Sequence, residues 1–217
     1  MQGLIRNHYY KIVSKLKILF IFIFFTGVSI LIFGGREEIP LFAFLCINVI
    51  GFPFISSIGL RKNNIDKWNQ YILSLPVRRC EIVKSVFAMQ AITILIGSML
   101  SVILFLTSFL IHGFAFYRYL DVVLLFSSAI GISLIMNAIF LPISYLDSND
   151  RTEAMSIISL IISVAIMLGL IAVINILIEK PTDMQLVIFA TGNLVLSIAV
   201  FLISCSLTVS IYSKQDC

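Results

Sequence analysis

Apolar positions along this chain gather into six long runs, over about 18–35, 39–60, 86–111, 122–145, 154–178 and 186–211, with short polar stretches between them. About 20 apolar residues in a helix cross the hydrocarbon core of a bilayer, and each run has roughly that length. Water is absent at that depth, so the backbone must satisfy itself, and the runs are expected to be helices. No internal repeat or second composition divides the chain. The pattern predicts an all-α membrane protein of six transmembrane helices forming one domain over residues 1–217.

Two stretches have a different rhythm. In the first, Leu4, Ile5, Tyr9, Ile12, Val13 and Leu16 recur on one helical face, and Arg6, Asn7, Tyr10, Lys11, Ser14 and Lys15 take the other. Residues 1–17 are therefore expected to form an amphipathic helix in the headgroup plane. A simple basic anchor would explain the same residues. The second stretch, RKNNIDKWNQYILSLPVRRCEIVKS, occupies 61–85 between spans 2 and 3. Asn63 or Asn64 can cap a helix there, with Asp66 favourably placed in its first turn. Ile65, Trp68, Ile72 and Leu75 then form an apolar stripe flanked by Tyr71, and Asp66, Lys67, Asn69, Gln70 and Ser74 face away. Pro76 disfavours helix at Leu75 and suits the first turn of the next helix, which runs past Arg79 into span 3. Two readings fit this helix–turn–helix. It is an interfacial helix anchored by Trp68, or a docking element for a cytoplasmic partner, since ordered loops of about 25 residues are usually functional.

Composition excludes a soluble domain. The 217 residues are 60% hydrophobic and 12% charged, against about a quarter charged in soluble proteins. The first run is expected to be retained and not cleaved as a signal peptide, because a polar-mixed stretch precedes it and no small-residue cleavage site follows. Twelve of the 15 Lys and Arg residues fall at the N-terminus, in 61–85, at Arg151 and in the C-terminal tail; Arg36, Arg118 and Lys180 fall in the alternate connections. This bias puts both termini and 61–85 in the cytoplasm. It accounts for the net charge of +4 without nucleic acid, since no basic patch lies on a soluble fold. Cys46 and Cys205 fall in spans, and Cys80 and Cys217 face the reducing side, so no disulfide is expected.

The spans carry no charged residue, although ion-coupled carriers need an ionisable group at depth. Their strong polar groups are Asn48, Gln90, Asn137, Asn175 and Asn193. These either bond neighbouring helices or line a polar path for substrate. Pro53 and Pro142 are expected to kink spans 2 and 4. An enzyme is disfavoured. His8 and His112 are expected on opposite sides, Glu37 and Glu38 lack a His partner, and neither H-E-x-x-H nor G-x-S-x-G occurs. G-x-x-x-x-G-K-[ST] is missing too, so this chain binds no nucleotide by a P-loop, and uphill transport would need energy from another chain.

Trp68, Tyr71, Ser74, Leu75, Pro76, Val77, Arg79, Ile82, Val83 and Ser85 form a pattern that resembles the small ABC-2 type transporter permeases. Met1, Gly3, Leu4 and Ile5 before a basic helix are similar to that family's opening. The resemblance implies a permease of a bacterial cell membrane that pairs with itself or a sister permease in a lipid bilayer. A separate ABC ATPase dimer would carry ATP and Mg, and the permease itself would hold no cofactor. The coupling helix would run from about Asn64 to Leu75, so that Asn64, Ile65, Asp66, Trp68, Tyr71, Ile72, Leu75, Pro76 and Arg79 become the ATPase-coupling residues. Members similar to exporters of phenol-soluble modulins move amphipathic peptides outward, and others serve bacteriocin export or self-protection. The chain departs from the pattern in its lone Asp66 before the Trp, in Phe87, and in the short Glu179–Gln185 link between the last two spans.

The orientation has a direct test. With Cys217 as the sole thiol, a membrane-impermeant maleimide should label opened vesicles and leave intact cells unlabelled; labelling of intact cells would reverse the topology.

Overall fold

The computed structural model describes residues 21, 24–29, 38–62, 79–113, 119–146, 152–177 and 182–214. Among them the chain is helical apart from Gly113 and Thr182, with no strand. Five long helices follow in order: α1 Glu38–Lys62, α2 Arg79–His112, α3 Tyr119–Leu146, α4 Thr152–Leu177 and α5 Asp183–Lys214. Each contains a segment long and apolar enough to cross a membrane, and together they correspond to expected spans 2 to 6. Residues 24–29, within expected span 1, are helical. The amphipathic helix expected over 1–17 lies outside the described residues. At 34 and 32 residues, α2 and α5 exceed the roughly 20 needed to span, so they tilt or project beyond the hydrocarbon core.

The centre of the bundle is α3. Its spanning segment is 56% buried, against 17% for α4, and it packs on all four other helices. Its broadest contact is with α5. Buried Ala190, Asn193, Ser197, Phe201, Ser204 and Thr208 recur at three- and four-residue steps on α5, the spacing of a continuous helix–helix seam. The Asn193 side-chain amide donates to the Ser127 carbonyl at 3.2 Å and the Ser204 hydroxyl to the Ala138 carbonyl at 2.6 Å, both with a sequence offset of 66. A constant offset means that α3 and α5 run parallel in one register.

Two apolar clusters fill the bundle at different depths. Val83, Val86, Phe87, Ile94, Leu134, Leu141 and Phe201 form one, with Phe87 and Phe201 at 5.1 Å between ring centroids. Leu41, Leu45 and Leu125 form the other, extended by Leu104, Phe105 and Phe126.

Both expected proline sites lie inside helices, Pro53 in α1 and Pro142 in α3. Proline has no N–H, so each frees the carbonyl four residues earlier, here Val49 and Ala138. Each freed carbonyl accepts a serine hydroxyl from a neighbouring helix. Ser133 of α3 donates to Val49 at 3.1 Å, sharing its proton with its own Ala129 carbonyl, and Ser204 of α5 donates to Ala138. Serines thus satisfy the groups that prolines expose in lipid, and these bonds link α1 to α3 and α3 to α5.

Ser133→Ala should therefore lower stability by about 1 kcal/mol, read as a fall in Tm in detergent. The loss should shrink in a Pro53→Ala background, where residue 53 regains an N–H for Val49. An equal loss in both backgrounds would show that the hydroxyl serves another purpose.

Candidate functional site

Residues Asn64, Ile65, Asp66, Trp68, Tyr71, Ile72, Leu75 and Pro76 lie outside the described residues. Their flanks are described: α1 ends at Lys62 and α2 begins at Arg79. The segment therefore joins neighbouring ends of an antiparallel pair, and Arg79 opens the helix that leads into the bundle.

Contacts along that pair define its register. The Ser101 hydroxyl donates to the Leu45 carbonyl at 3.2 Å. Gly97, four residues earlier on α2, faces Phe52 and the Val49 carbonyl so closely that a Cβ would lie 3.1 Å and 3.6 Å from them. Moving eleven residues inward from the Leu45–Ser101 bond, which is three turns and returns to the same face, reaches Ser56 on α1 and Gln90 on α2. The α1–α3 register comes from the Val49–Ser133 bond. One turn further on, Pro53 of α1 lies level with Asn137 of α3. By this register the three residues lie at depths within about one turn of one another, roughly 5 Å of rise, on three packed helices.

Ser56, Gln90 and Asn137 are 3%, 0% and 0% exposed. Asn137 donates its amide to the Ser133 carbonyl at 2.9 Å, and the Thr93 hydroxyl shares its proton between the Gln90 backbone carbonyl at 2.8 Å and the Gln90 side-chain oxygen at 3.1 Å. The Ser56 hydroxyl, Gln90 Nε2 and Asn137 Oδ1 have no hydrogen-bond partner among the described residues.

The remaining amides lie elsewhere. Asn48 accepts from Thr26 at 3.0 Å and donates to the Phe44 carbonyl, tying the first span to α1. Asn193 lies in the α3–α5 seam opposite Gly131, where a Cβ would meet its Nδ2 at 3.0 Å and the Ser197 hydroxyl at 3.1 Å. The backbone of Asn175 belongs to α4, and its side chain lies outside the described residues. The printed bonds of Gln90 and Asn137 stay within their own helices, to Thr93 and Ser133, and Asn48 and Asn193 lie in separate contacts between helices. Ser56, Ser133 and Gly131 were not singled out in the sequence. Their signal is spacing: Ser56 completes an apolar-to-small stripe with Leu45, Val49 and Phe52.

At the opposite end of α3, a pocket of about 230 Å³ opens between α1, α3, α4 and α5, lined by Phe42, Leu124, Leu125, Ile171, Leu186 and Phe189 among others. Its only polar lining residue, Ser128, donates its hydroxyl to its own helix at Leu125. Such a wall suits hydrocarbon and offers little to a polar group. Among the described residues no group of His, Cys, Asp and Glu could hold a metal ion.

The family described as ABC-2 family transporter protein matches the chain over residues 3–213. No curated protein and no solved structure matches it.

Gly131 gives this region a testable signature. Gly131→Ala should cost about 1 to 3 kcal/mol by pressing on Asn193 and Ser197. Gly169→Ala on α4, where a Cβ meets nothing within 4 Å, should be neutral. Equal Tm values for the two variants would contradict the close α3–α5 seam.

Proposed function

The chain belongs to the ABC-2 family of transporter proteins, and from that premise we propose that it is the permease subunit of an ATP-driven exporter whose ATPase is a separate chain. The observation that carries this reading is the extent of the family match, 3–213, which covers the five described spans, the expected first span and the segment between α1 and α2. Multi-pass insertion follows from the five long apolar helices.

In this reading two ATPase subunits dock beneath a pair of permeases, either two copies of this chain or this chain and a sister. Segment 64–75 fits the ATPase with its Ile65–Trp68–Ile72–Leu75 stripe. It lies in the chain between α1 and α2, so closure of the ATPase dimer on ATP and Mg would pull on both. A hinge of the pair would pass the motion to α3 and onward to α5. Spans free of charge and an interior of uncharged amides and hydroxyls suit a neutral-bodied, amphipathic or hydrophobic cargo, such as a toxin or antimicrobial peptide that partitions into the bilayer. A second reading, a binding component or bacteriocin immunity protein that does not pump, draws support from the apolar pocket, since capture alone needs no coupling segment.

The paired substitution Trp68→Asp and Leu75→Asp separates them. For a permease, the ATPase should no longer copurify in mild detergent while the chain still inserts. Unchanged copurification, or full protection with residues 64–75 scrambled, would favour the non-pumping component.

A further inference from the structure

Helices α4 and α5 both pack on α3 but make no extended contact with each other, although only five residues link them. The wedge between them holds the pocket of about 230 Å³. Leu125 at its inner wall is buried, and Phe42 and Ile171 at its rim are exposed, so it opens sideways from the bundle. Its depth is that of a single leaflet. Phe42, Leu124, Ile174 and Leu186 lie three to five residues from the helix ends at Glu38, Tyr119, Leu177 and Asp183, and Ser128 lies nine from Tyr119. At 1.5 Å per residue the pocket reaches from about 5 Å to about 14 Å below those ends, within half of the roughly 30 Å hydrocarbon core. The described part of the first span sits elsewhere. Thr26 bonds Asn48, and a Cβ on Gly27 would lie 3.5 Å from Leu104 of α2. Asn48 stands about 120° around α1 from Phe42 at 3.6 residues per turn.

We propose that this pocket binds one acyl chain of a membrane lipid, in the leaflet on the side of the α4–α5 link. The walls select the occupant. Ser128 is the one polar lining residue, and its hydroxyl already donates to the Leu125 carbonyl. The walls therefore offer no free donor, and a lone hydroxyl oxygen does not hold a water, which needs two or more polar partners. A peptide would bring backbone N–H and C=O groups that are costly to bury unpaired. A hydrocarbon chain brings none. Left empty, the pocket would forfeit the dispersion contacts of its walls. Size agrees with this occupant: an apolar cavity of about 150 Å³ takes up benzene, so about 230 Å³ admits a longer stretch of alkyl chain. The headgroup would stay in the interface, because the pocket begins about one turn below the helix ends. The site requires insertion in a membrane and neither ATPase nor cargo, so its failure would leave the transport reading intact.

The test uses the full-length chain in phosphatidylglycerol nanodiscs in which a small share of the lipid carries an alkyl diazirine midway along one acyl chain. The protein is exchanged into digitonin, which has no alkyl chain, and washed before irradiation, so that only retained lipid reacts. Adducts should concentrate on Ile171 and Phe189, at about ten times the yield at Leu168. Leu168 is exposed on α4 and does not line the pocket. A second measurement counts retained phospholipid by native mass spectrometry. Ser128→Phe, whose ring would occupy the pocket, should lower it to about a tenth of the wild-type amount, and Leu168→Phe should leave it unchanged. The adduct map uses the unaltered chain, so it stands whether or not Ser128→Phe folds. Equal adduct yields at Ile171, Phe189 and Leu168 would overturn the proposal, and so would unchanged lipid retention in a folded Ser128→Phe variant.

Discussion

The bond from a serine hydroxyl to a carbonyl that a proline has freed is the interaction the rest of this bundle depends on. In lipid, an unsatisfied carbonyl costs far more than in water, so a proline in mid-span is tolerable only with a donor beside it. Val49 and Ala138 each receive one, from Ser133 and Ser204. These donors come from other helices, so each repair is also a joint. One sets the register of α1 on α3 and the other that of α3 on α5, and the positions of Asn137, Asn193 and Ser197 follow. Apolar packing holds the helices together, and the two hydroxyls add directional bonds that a slip along the axis would break.

This division of labour explains what could be read without coordinates. Hydrophobic run lengths carried the five long helices, because the bilayer imposes one length scale on every span. The connection between α4 and α5 was expected to be short, and α4 does end at Leu177 with α5 starting at Asp183. The prolines were visible as interruptions. Their partners were not, because a serine in an apolar run looks alike whether it bonds its own previous turn, as Ser85, Ser98 and Ser144 do, or reaches another helix. The five intramembrane amides were visible as exceptions to the apolar pattern. Which of them meet depends on register, and register is a property of pairs of helices. The coupling residues 64–76 were read from capping, stripe and proline signals, and that reading stands on the sequence and on the family to which the chain belongs.

The uncharged interior has a functional consequence for any transport cycle. Rearranging ion pairs in a low dielectric is costly in both directions, whereas hydroxyl and amide contacts near 3 Å exchange for smaller energies. Buried seams rich in Ser, Thr and Asn, as on α3 and α5, resist separation less than salt-bridged ones would.

The connections between helices differ in one further respect. Only five residues, 147–151, join α3 to α4, and five, 178–182, join α4 to α5; sixteen, 63–78, join α1 to α2. A chain reaches at most about 3.5 Å per residue, so the shorter links act as short tethers on neighbouring helix ends. Helices α3, α4 and α5 are leashed into a block by their short links, whereas the number of residues between α1 and α2 sets no comparable limit on how far their linked ends can lie apart.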